Sequence, residues 1–253
     1  RLTRIPKPEA RGAFAYDAAE DGVHIGNIRW EDDAQGPVKV YKKPAPGRPY
    51  VIGADTAGDG SDWFVGQVLD NVSGEQVAVL RHQYDEDTFS RQMYCLGKWY
   101  NDAMLAPEAN FSTYPVKLLD LMGYRNLYVR EIDGTIRHAY GFRTDRLTRP
   151  VIISELIRVM REHLETVNDE DTLLEMLTFV RDEKQRAAAE PGAHDDCVMA
   201  LAIAHYVRPQ QTMEVKRTAA AGTAAWTQDM WDDFERAAPQ EREMLLQKWG
   251  TPR

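Results

Sequence analysis

The sequence predicts an α/β protein, because strand-like and helix-like segments alternate along its central part. Three consecutive strand-like segments come first, and helix-like segments then alternate with further strand-like ones. The composition is that of a globular protein, with 43% hydrophobic and 28% charged residues. At 253 residues the chain is long enough for one sizeable domain or two small ones.

Composition also excludes several classes of protein. The net charge of −9 argues against a passive nucleic-acid coat, whose affinity comes from neutralising phosphates, but not against an enzyme that acts on DNA. The longest unbroken apolar run, Cys197–Ala204, is far too short to span a bilayer, so we expect no membrane association. Two cysteines fit a reducing compartment. The chain starts at Arg1 without a secretion leader, and we expect it to be a fragment of a longer protein.

A proline-rich connector, Pro44–Pro49, marks the first expected domain boundary, because it follows a segment of weak periodicity. The expected parts are a linker or N-terminal extension (residues 1–49), a main domain (residues 50–208) and an acidic helical tail (residues 209–253).

The main domain has clear strand and helix patterns. Strands are expected at Tyr50–Asp55, Trp63–Asp70 and Gln76–Tyr84, antiparallel to one another, with a short buried strand at Ala103–Pro107. Helices are expected at Asp87–Tyr100, Tyr114–Met122, Pro150–Glu165 and Glu170–Val180. The pair Asp133-Gly134 within Leu127–Phe142 predicts a hairpin. Asp195–Tyr206 is apolar on nearly every side, which predicts a buried helix.

The glycine-rich loop around Asp55 partly matches three known binding loops and fits none of them. Gly53 and Gly58 have phosphate-loop spacing, but Asp59 stands where that loop needs Lys, and its charge would repel phosphate. The third glycine of a dinucleotide-binding fingerprint is missing, and Gly66 stands where a calcium loop needs Glu. What remains is a strand that delivers Asp55 to its exposed end, although a lone Asp there is more often a turn former.

Three further acids lie at the ends of predicted elements. Glu108 follows the short buried strand, and Asp195 and Asp196 open the buried helix behind His194. Taken singly, Glu108 fits a solvated loop acid, and either Asp fits a helix cap. Taken together with Asp55 they are more informative, because only particular folds deliver carboxylates from two strand ends and a helix start to one place.

A set of spaced segments carries a family resemblance. The segments are Tyr50–Asp55, Gly60–Trp63, Pro107–Asn110 and His194–Ala202, with Gly141–Thr144 and Arg149–Pro150 in support. Over about residues 50–206 they resemble the nuclease domain of tailed-phage large terminase subunits. The resemblance implies a ribonuclease H-like fold, in which helices flank a mixed sheet. The chain departs from the family at Thr113, where a Gly is frequent, and it lacks the phosphate loop of the family's ATPase motor. Residues 1–49 would then be the linker that follows the motor.

The resemblance also implies a metal-dependent site. Hard oxygen ligands suit two Mg²⁺ or Mn²⁺ ions. Asp55 would bridge both ions, Glu108 would hold one, and Asp195 or Asp196 would supply the third side; we favour Asp196. The implied catalytic residues are therefore Asp55, Glu108 and Asp196. Asp62 would be an accessory ligand, and His194 either a proton carrier or an ordinary loop residue.

The implied function is an endonuclease that cuts concatemeric double-stranded viral DNA during genome packaging. The expected partners are DNA, an ATPase domain in the same full-length chain, the small terminase subunit and the portal protein, all in the host cytoplasm. Basic residues around the predicted hairpin either contact DNA or form a solvated face; they are Arg130, Arg137 and Arg143.

Other functions and a further interaction stay open at this point. A Holliday-junction resolvase or a transposase shares the fold and the acids, a sugar kinase or actin-like ATPase also begins with an Asp-bearing glycine turn, and a non-catalytic packaging module would have vestigial acids. In the tail, Trp226, Met230 and Phe234 have the spacing of one apolar helix stripe. This stripe is expected either to pack back on the domain or to dock on another packaging component.

Overall fold

The computed structural model describes residues 5–56, 63–132, 135–181 and 187–214, together with residue 242. The chain divides into two units at residue 212, and nearly all of the described residues belong to the first. The predicted apolar stripe of the tail lies outside the described residues. None of the described helices is both long and apolar enough to cross a membrane.

A seven-stranded sheet forms the centre of the first unit. Its strands are β1 (Ala10–Ala18), β2 (Ile25–Asp32), β3 (Val38–Val40), β4 (Tyr50–Asp55), β5 (Phe64–Asp70), β6 (Gln76–His82) and β7 (Met104–Pro107). The strand order is β2-β1-β3-β6-β5-β4-β7. All neighbours are antiparallel except β4 and β7, which are parallel.

Five α-helices, a short 3₁₀-helix (Leu164–Thr166) and two small hairpins complete the described fold. The helices are α1 (Glu86–Trp99), α2 (Tyr114–Leu121), α3 (Thr148–His163), α4 (Glu170–Thr178) and α5 (Asp196–Glu214). The hairpins are β8 (Val129–Ile132) with β9 (Thr135–Tyr140), and β10 (Phe179–Arg181) with β11 (Ala187–Ala189). The first hairpin leaves and rejoins the sheet beside β7, where Leu127 bridges Leu105 and Phe142 bridges Glu108.

The alternation of side chains along β4 explains why helices cover both faces of the sheet. Tyr50, Ile52 and Ala54 join a core that includes Phe89 of α1. Val51 joins the core formed with α3, α4 and α5. Because both faces of β4 are buried, its sequence is a continuous apolar run up to Asp55.

Most predicted elements of the main domain are confirmed within a few residues. The difference lies at the end of α4, which was expected to continue to Val180 but stops at Thr178. Phe179–Arg181 instead pairs with Ala187–Ala189 as a short hairpin. Strands of three residues have too little periodicity to be recognised in a sequence, and tertiary pairing determines their conformation.

The N-terminal segment contributes strands to the sheet, whereas the sequence suggests a linker or extension. Strand β3 pairs with β6, and Lys39 of β3 donates to the buried carboxylate of Asp169 at 2.8 Å. Trp30 of β2 stacks on Trp99 of α1 with ring centroids 5.3 Å apart. The signal in the sequence is weak because β2 is mostly exposed and a register shift after Ala15 interrupts the alternation in β1.

Candidate active site

Strands β4 and β7 end together at one edge of the sheet. Ala54 pairs with Pro107 in their parallel ladder, and the backbone N–H of Glu108 donates to the carbonyl oxygen of Ala54 at 2.9 Å. Parallel strands present their carboxyl ends at the same edge, which is where open α/β sheets bind ligands. Asp55 and Glu108 are therefore neighbours at this edge.

The carboxyl group of Asp55 is enclosed by protein atoms, although the residue as a whole retains some exposed surface. It lies next to the side chain of Glu108, which is 5% exposed. Burial raises the pKa of Asp55 well above its usual range, and repulsion by Glu108, Asp196 and Asp195 raises it further. Crowded carboxylates of this kind repel one another, and a bound cation would relieve the repulsion.

Asn110 fixes the position of the Glu108 carboxyl group. Its Nδ2 donates to Glu108 Oε1 at 2.9 Å and to the carbonyl oxygen of Thr144 at 2.6 Å. Its Oδ1 accepts the backbone N–H of Thr144 at 3.1 Å. The sequence analysis includes Asn110 only as part of a matching segment, because the partner loop lies far away along the chain.

A close approach between β4 and α5 brings the third side of the site into place. A Cβ atom on Gly53 would lie 2.3 Å from the backbone nitrogen of Ala204 and 2.5 Å from the carbonyl oxygen of Ala200. No larger residue fits unless the helix moves away. Asp55 lies two residues beyond Gly53, and Asp196 lies about one helical turn before Ala200. The glycine thus allows the start of the helix to reach the end of the strand.

The two adjacent acids at the start of α5 have different surroundings. Asp195 Oδ2 forms an ion pair with Arg149 Nη2 at 2.9 Å, and 28% of the Asp195 side chain is exposed. Asp196 is more enclosed, with 12% of its side chain exposed. Its Oδ2 accepts the backbone N–H of Trp63 at 3.3 Å, and His194 Nδ1 lies 3.5 Å away. Asp195 is thus already paired with a cationic side chain, whereas Asp196 lies deeper in the site.

A buried acid from α4 holds the start of α5. Glu175 Oε2 accepts the backbone N–H groups of Cys197 at 2.7 Å and Val198 at 3.4 Å. Arg81 lies 3.5 Å from the other oxygen of Glu175, and its guanidinium group lies 4.0 Å above the ring of Trp63. Sequence reasoning missed Glu175 because no local pattern links it to a helix that starts some twenty residues later.

The structure brings four of the expected site residues to one end of β4: Asp55, Glu108, Asp195 and Asp196. His194 lies beside Asp196. Of the expected DNA contacts, Arg130 is half-buried in β8, and Arg143 is exposed in the loop before α3. Asp62 and the side chain of Arg137 lie outside the described residues. Among the residues that are described, no three His, Cys, Asp or Glu side chains already form a ligand set for a metal ion.

Solved structures similar to this chain include large terminase nucleases of thermophilic phages, while no protein-family profile matches the sequence. The magnesium-bound large terminase nuclease of phage G20c is 24% identical, with a TM-score of 0.54, covering 69% of this chain and 89% of that one. The cobalt-bound form is 23% identical, with a TM-score of 0.55 and the same coverage. The large terminase nuclease domain of Thermus phage P74-26 is 24% identical, with a TM-score of 0.51, covering 68% of this chain and 86% of that one.

These comparisons confirm the predicted fold. The chain has the ribonuclease H-like α/β architecture of large terminase nuclease domains, with helices on both faces of a mixed sheet. The resemblance found in the sequence is therefore confirmed at the level of the fold.

Proposed function

We propose that this chain is a metal-dependent endonuclease that cuts concatemeric double-stranded DNA during the packaging of a phage genome. The observation that carries the proposal is the buried Asp55 carboxyl group, which lies against Glu108 and is repelled by Asp195 and Asp196. Crowded, buried carboxylates of this kind are typical of cation sites and of catalytic sites. The fold shared with large terminase nucleases supports a nucleic-acid substrate, and we assign double-stranded DNA to this site.

The acids suit two Mg²⁺ or Mn²⁺ ions, because hard cations prefer carboxylate oxygens. Asp55, Glu108 and Asp196 would hold these ions. When bound, such ions lower the pKa of an attacking water and stabilise the charge that develops on the phosphate. Cobalt-bound, magnesium-bound and zinc-bound forms of the phage G20c nuclease are consistent with a divalent cofactor.

The side chains around the acids have separate tasks in this proposal. Asn110 keeps the Glu108 carboxyl group in one orientation through its 2.9 Å hydrogen bond. Arg149 neutralises Asp195 and so limits the negative charge that a phosphate meets. His194, 3.5 Å from Asp196, is placed to accept or donate a proton at the edge of the site. Asp62 would be an accessory metal ligand.

The DNA backbone would lie along the hairpin formed by β8 and β9, in contact with Arg130, Arg137 and Arg143. Such contacts position the duplex without selecting its sequence. The proposed partners are an ATPase domain in the same full-length chain, the small terminase subunit and the portal protein. The proposed location is the host cytoplasm, where phage DNA is packaged.

Plasmid cleavage tests the proposal directly. We expect the wild-type chain to linearise supercoiled plasmid in Mg²⁺ or Mn²⁺ and not in a chelator. Asp55→Asn is expected to abolish cleavage and keep the circular dichroism spectrum, since it removes charge and little volume. Asp102→Asn is the matched control, because Asp102 is exposed and its backbone φ of 55° lies in a region that Asn tolerates.

The control is expected to cleave at the wild-type rate. If Asp55→Asn cleaves at the wild-type rate, Asp55 is not part of the catalytic site. A wild-type chain that cleaves only four-way junctions would instead identify a resolvase, and one that cleaves nothing in either metal would identify a non-catalytic packaging module.

A further inference from the structure

A shallow groove lies between α2 and the hairpin formed by β8 and β9. Its volume is about 210 Å³. The residues that line it include Ala109, Thr113, Lys117, Asp120, Arg130 and Tyr140. The groove is distinct from the acid cluster, because it contains two basic side chains and none of the four site acids.

The polar groups of the groove are suited to an anion. Lys117 is exposed on α2, and Arg130 Nε is buried without a hydrogen-bond partner in the part of the chain that the structure describes. Neither side chain forms an ion pair with another described residue. Burial raises the pKa of Tyr140, and the charge of Asp120 raises it further, so the Tyr140 hydroxyl group stays protonated and can donate. Two cations and a hydroxyl donor thus border one small space.

The groove adjoins the acid cluster through the backbone. Ala109, which lines the groove, directly follows Glu108, and its N–H donates to the carbonyl oxygen of Phe142 at 2.8 Å. Gly141 allows the hairpin to come close at this point, because a Cβ atom there would lie 2.9 Å from the carbonyl oxygen of Pro107. The end of β7 therefore fixes the groove and the acids relative to each other.

We propose that this groove binds a backbone phosphate of the DNA strand, next to the phosphate that is cleaved. The proposal rests on the proposed function and adds Lys117 and Tyr140 to its DNA contacts. Such a contact places the strand in register without reading its sequence.

Asp120 limits the affinity of the groove for phosphate. Its carboxylate borders the same space as Lys117 and Arg130 and would repel a bound phosphate. The groove is therefore expected to hold the strand weakly enough for it to move on, and removing this charge is expected to strengthen binding.

Salt dependence of DNA binding tests the proposal. Binding of a short fluorescein-labelled duplex is measured by anisotropy over a range of NaCl concentrations, in a chelator so that cleavage plays no part. The logarithm of the binding constant falls linearly with the logarithm of the salt concentration. Each lost phosphate contact is expected to make this negative slope shallower by about 1. We expect the slope to become shallower by about 1 for Lys117→Ala and by about 2 for the double variant Lys117→Ala/Arg130→Gln. Lys117 lies on the exposed face of a helix, where Ala is well tolerated.

Two variants complete the experiment. Asp120→Asn is expected to bind the duplex more tightly than the wild type. Arg158→Ala is the matched control, because Arg158 is exposed on α3 and already paired with Glu155 and Glu162. An unchanged slope for Lys117→Ala, or an equal drop for Arg158→Ala, would overturn the proposal and leave the nuclease function untouched. A lower slope in a chain that cleaves no DNA would keep the phosphate site and refute the nuclease.

Discussion

His205 provides a sharp test of the packing between α3 and α5. The residue is 5% exposed, and neither ring nitrogen has a hydrogen-bond partner among the described residues. Burial lowers the pKa of His205 from 6.5 to about 3; Arg208 and Arg158 lower it as well, and Glu155 opposes them. The folded protein therefore holds this imidazole neutral across the physiological range.

The sign of the pH dependence follows from this shift. In the unfolded chain His205 takes up a proton below about pH 6.5, whereas the folded chain does so only near pH 3. The contribution of His205 to stability is complete above pH 6.5 and is lost as the pH falls toward 3. One bound proton changes the free energy of unfolding by about 1.4 kcal/mol per pH unit, so the loss between pH 7 and pH 5 is about 2 kcal/mol.

Urea denaturation of the wild type and of His205→Leu at both pH values measures this loss. We expect the stability of the wild type relative to the variant to fall by about 2 kcal/mol from pH 7 to pH 5. At pH 7 the variant should be at least as stable as the wild type, because it removes two unpaired ring nitrogens. His163→Gln, at an exposed position, is the control and should follow the wild type. An equal difference between wild type and His205→Leu at the two pH values would refute the reasoning.

Three further predictions concern the site. Gly53→Ala should lower the free energy of unfolding by about 1–3 kcal/mol, because its Cβ would meet the backbone of α5; Gly26→Ala, with open space around it, should be close to neutral in the same denaturation assay. Asn110→Ala should reduce the metal-dependent cleavage rate by about 10–100-fold with little change in melting temperature, whereas an equally large loss of stability would make its role structural. Asp196→Asn should reduce the cleavage rate by more than about a hundredfold, whereas Asp195→Asn should reduce it much less. The opposite ranking would exchange the roles proposed for the two acids.

The sequence predicts correctly the strands and helices that are buried on both faces. Tyr50–Asp55 reads as a strand because its apolar run is continuous, and the start of α5 reads as a buried helix for the same reason. Strand β2 was missed because most of its residues are exposed, and its packing depends on Trp99 of a later helix. Local periodicity carries no information about a partner that lies so far along the chain.

The same contrast applies to the candidate site. Asp55 and Glu108 could be proposed from sequence because Asp55 ends one strand and Glu108 directly follows another. Asn110 and Glu175 could not be given roles, because their contacts join segments that only the folded chain brings together. The sequence also could not show whether Asp195 or Asp196 lies deeper in the site, because helical spacing from either acid leads to apolar residues.

The pairing of β3 with β6 has a consequence for the order in which the chain folds. Strands β1, β2 and β3 can pair with one another as soon as they leave the ribosome, but the other edge of β3 stays open until residues 76–82 have been synthesised. The ion pair between Lys39 and Asp169 forms later still, because Asp169 lies 130 positions further along the chain. Contacts of such long range slow folding, because the entropy of closing a large loop is lost before the contact forms. The packing of β3 against the start of α4 should therefore be complete only after α4 has been synthesised, and the early strands are more exposed to aggregation until then.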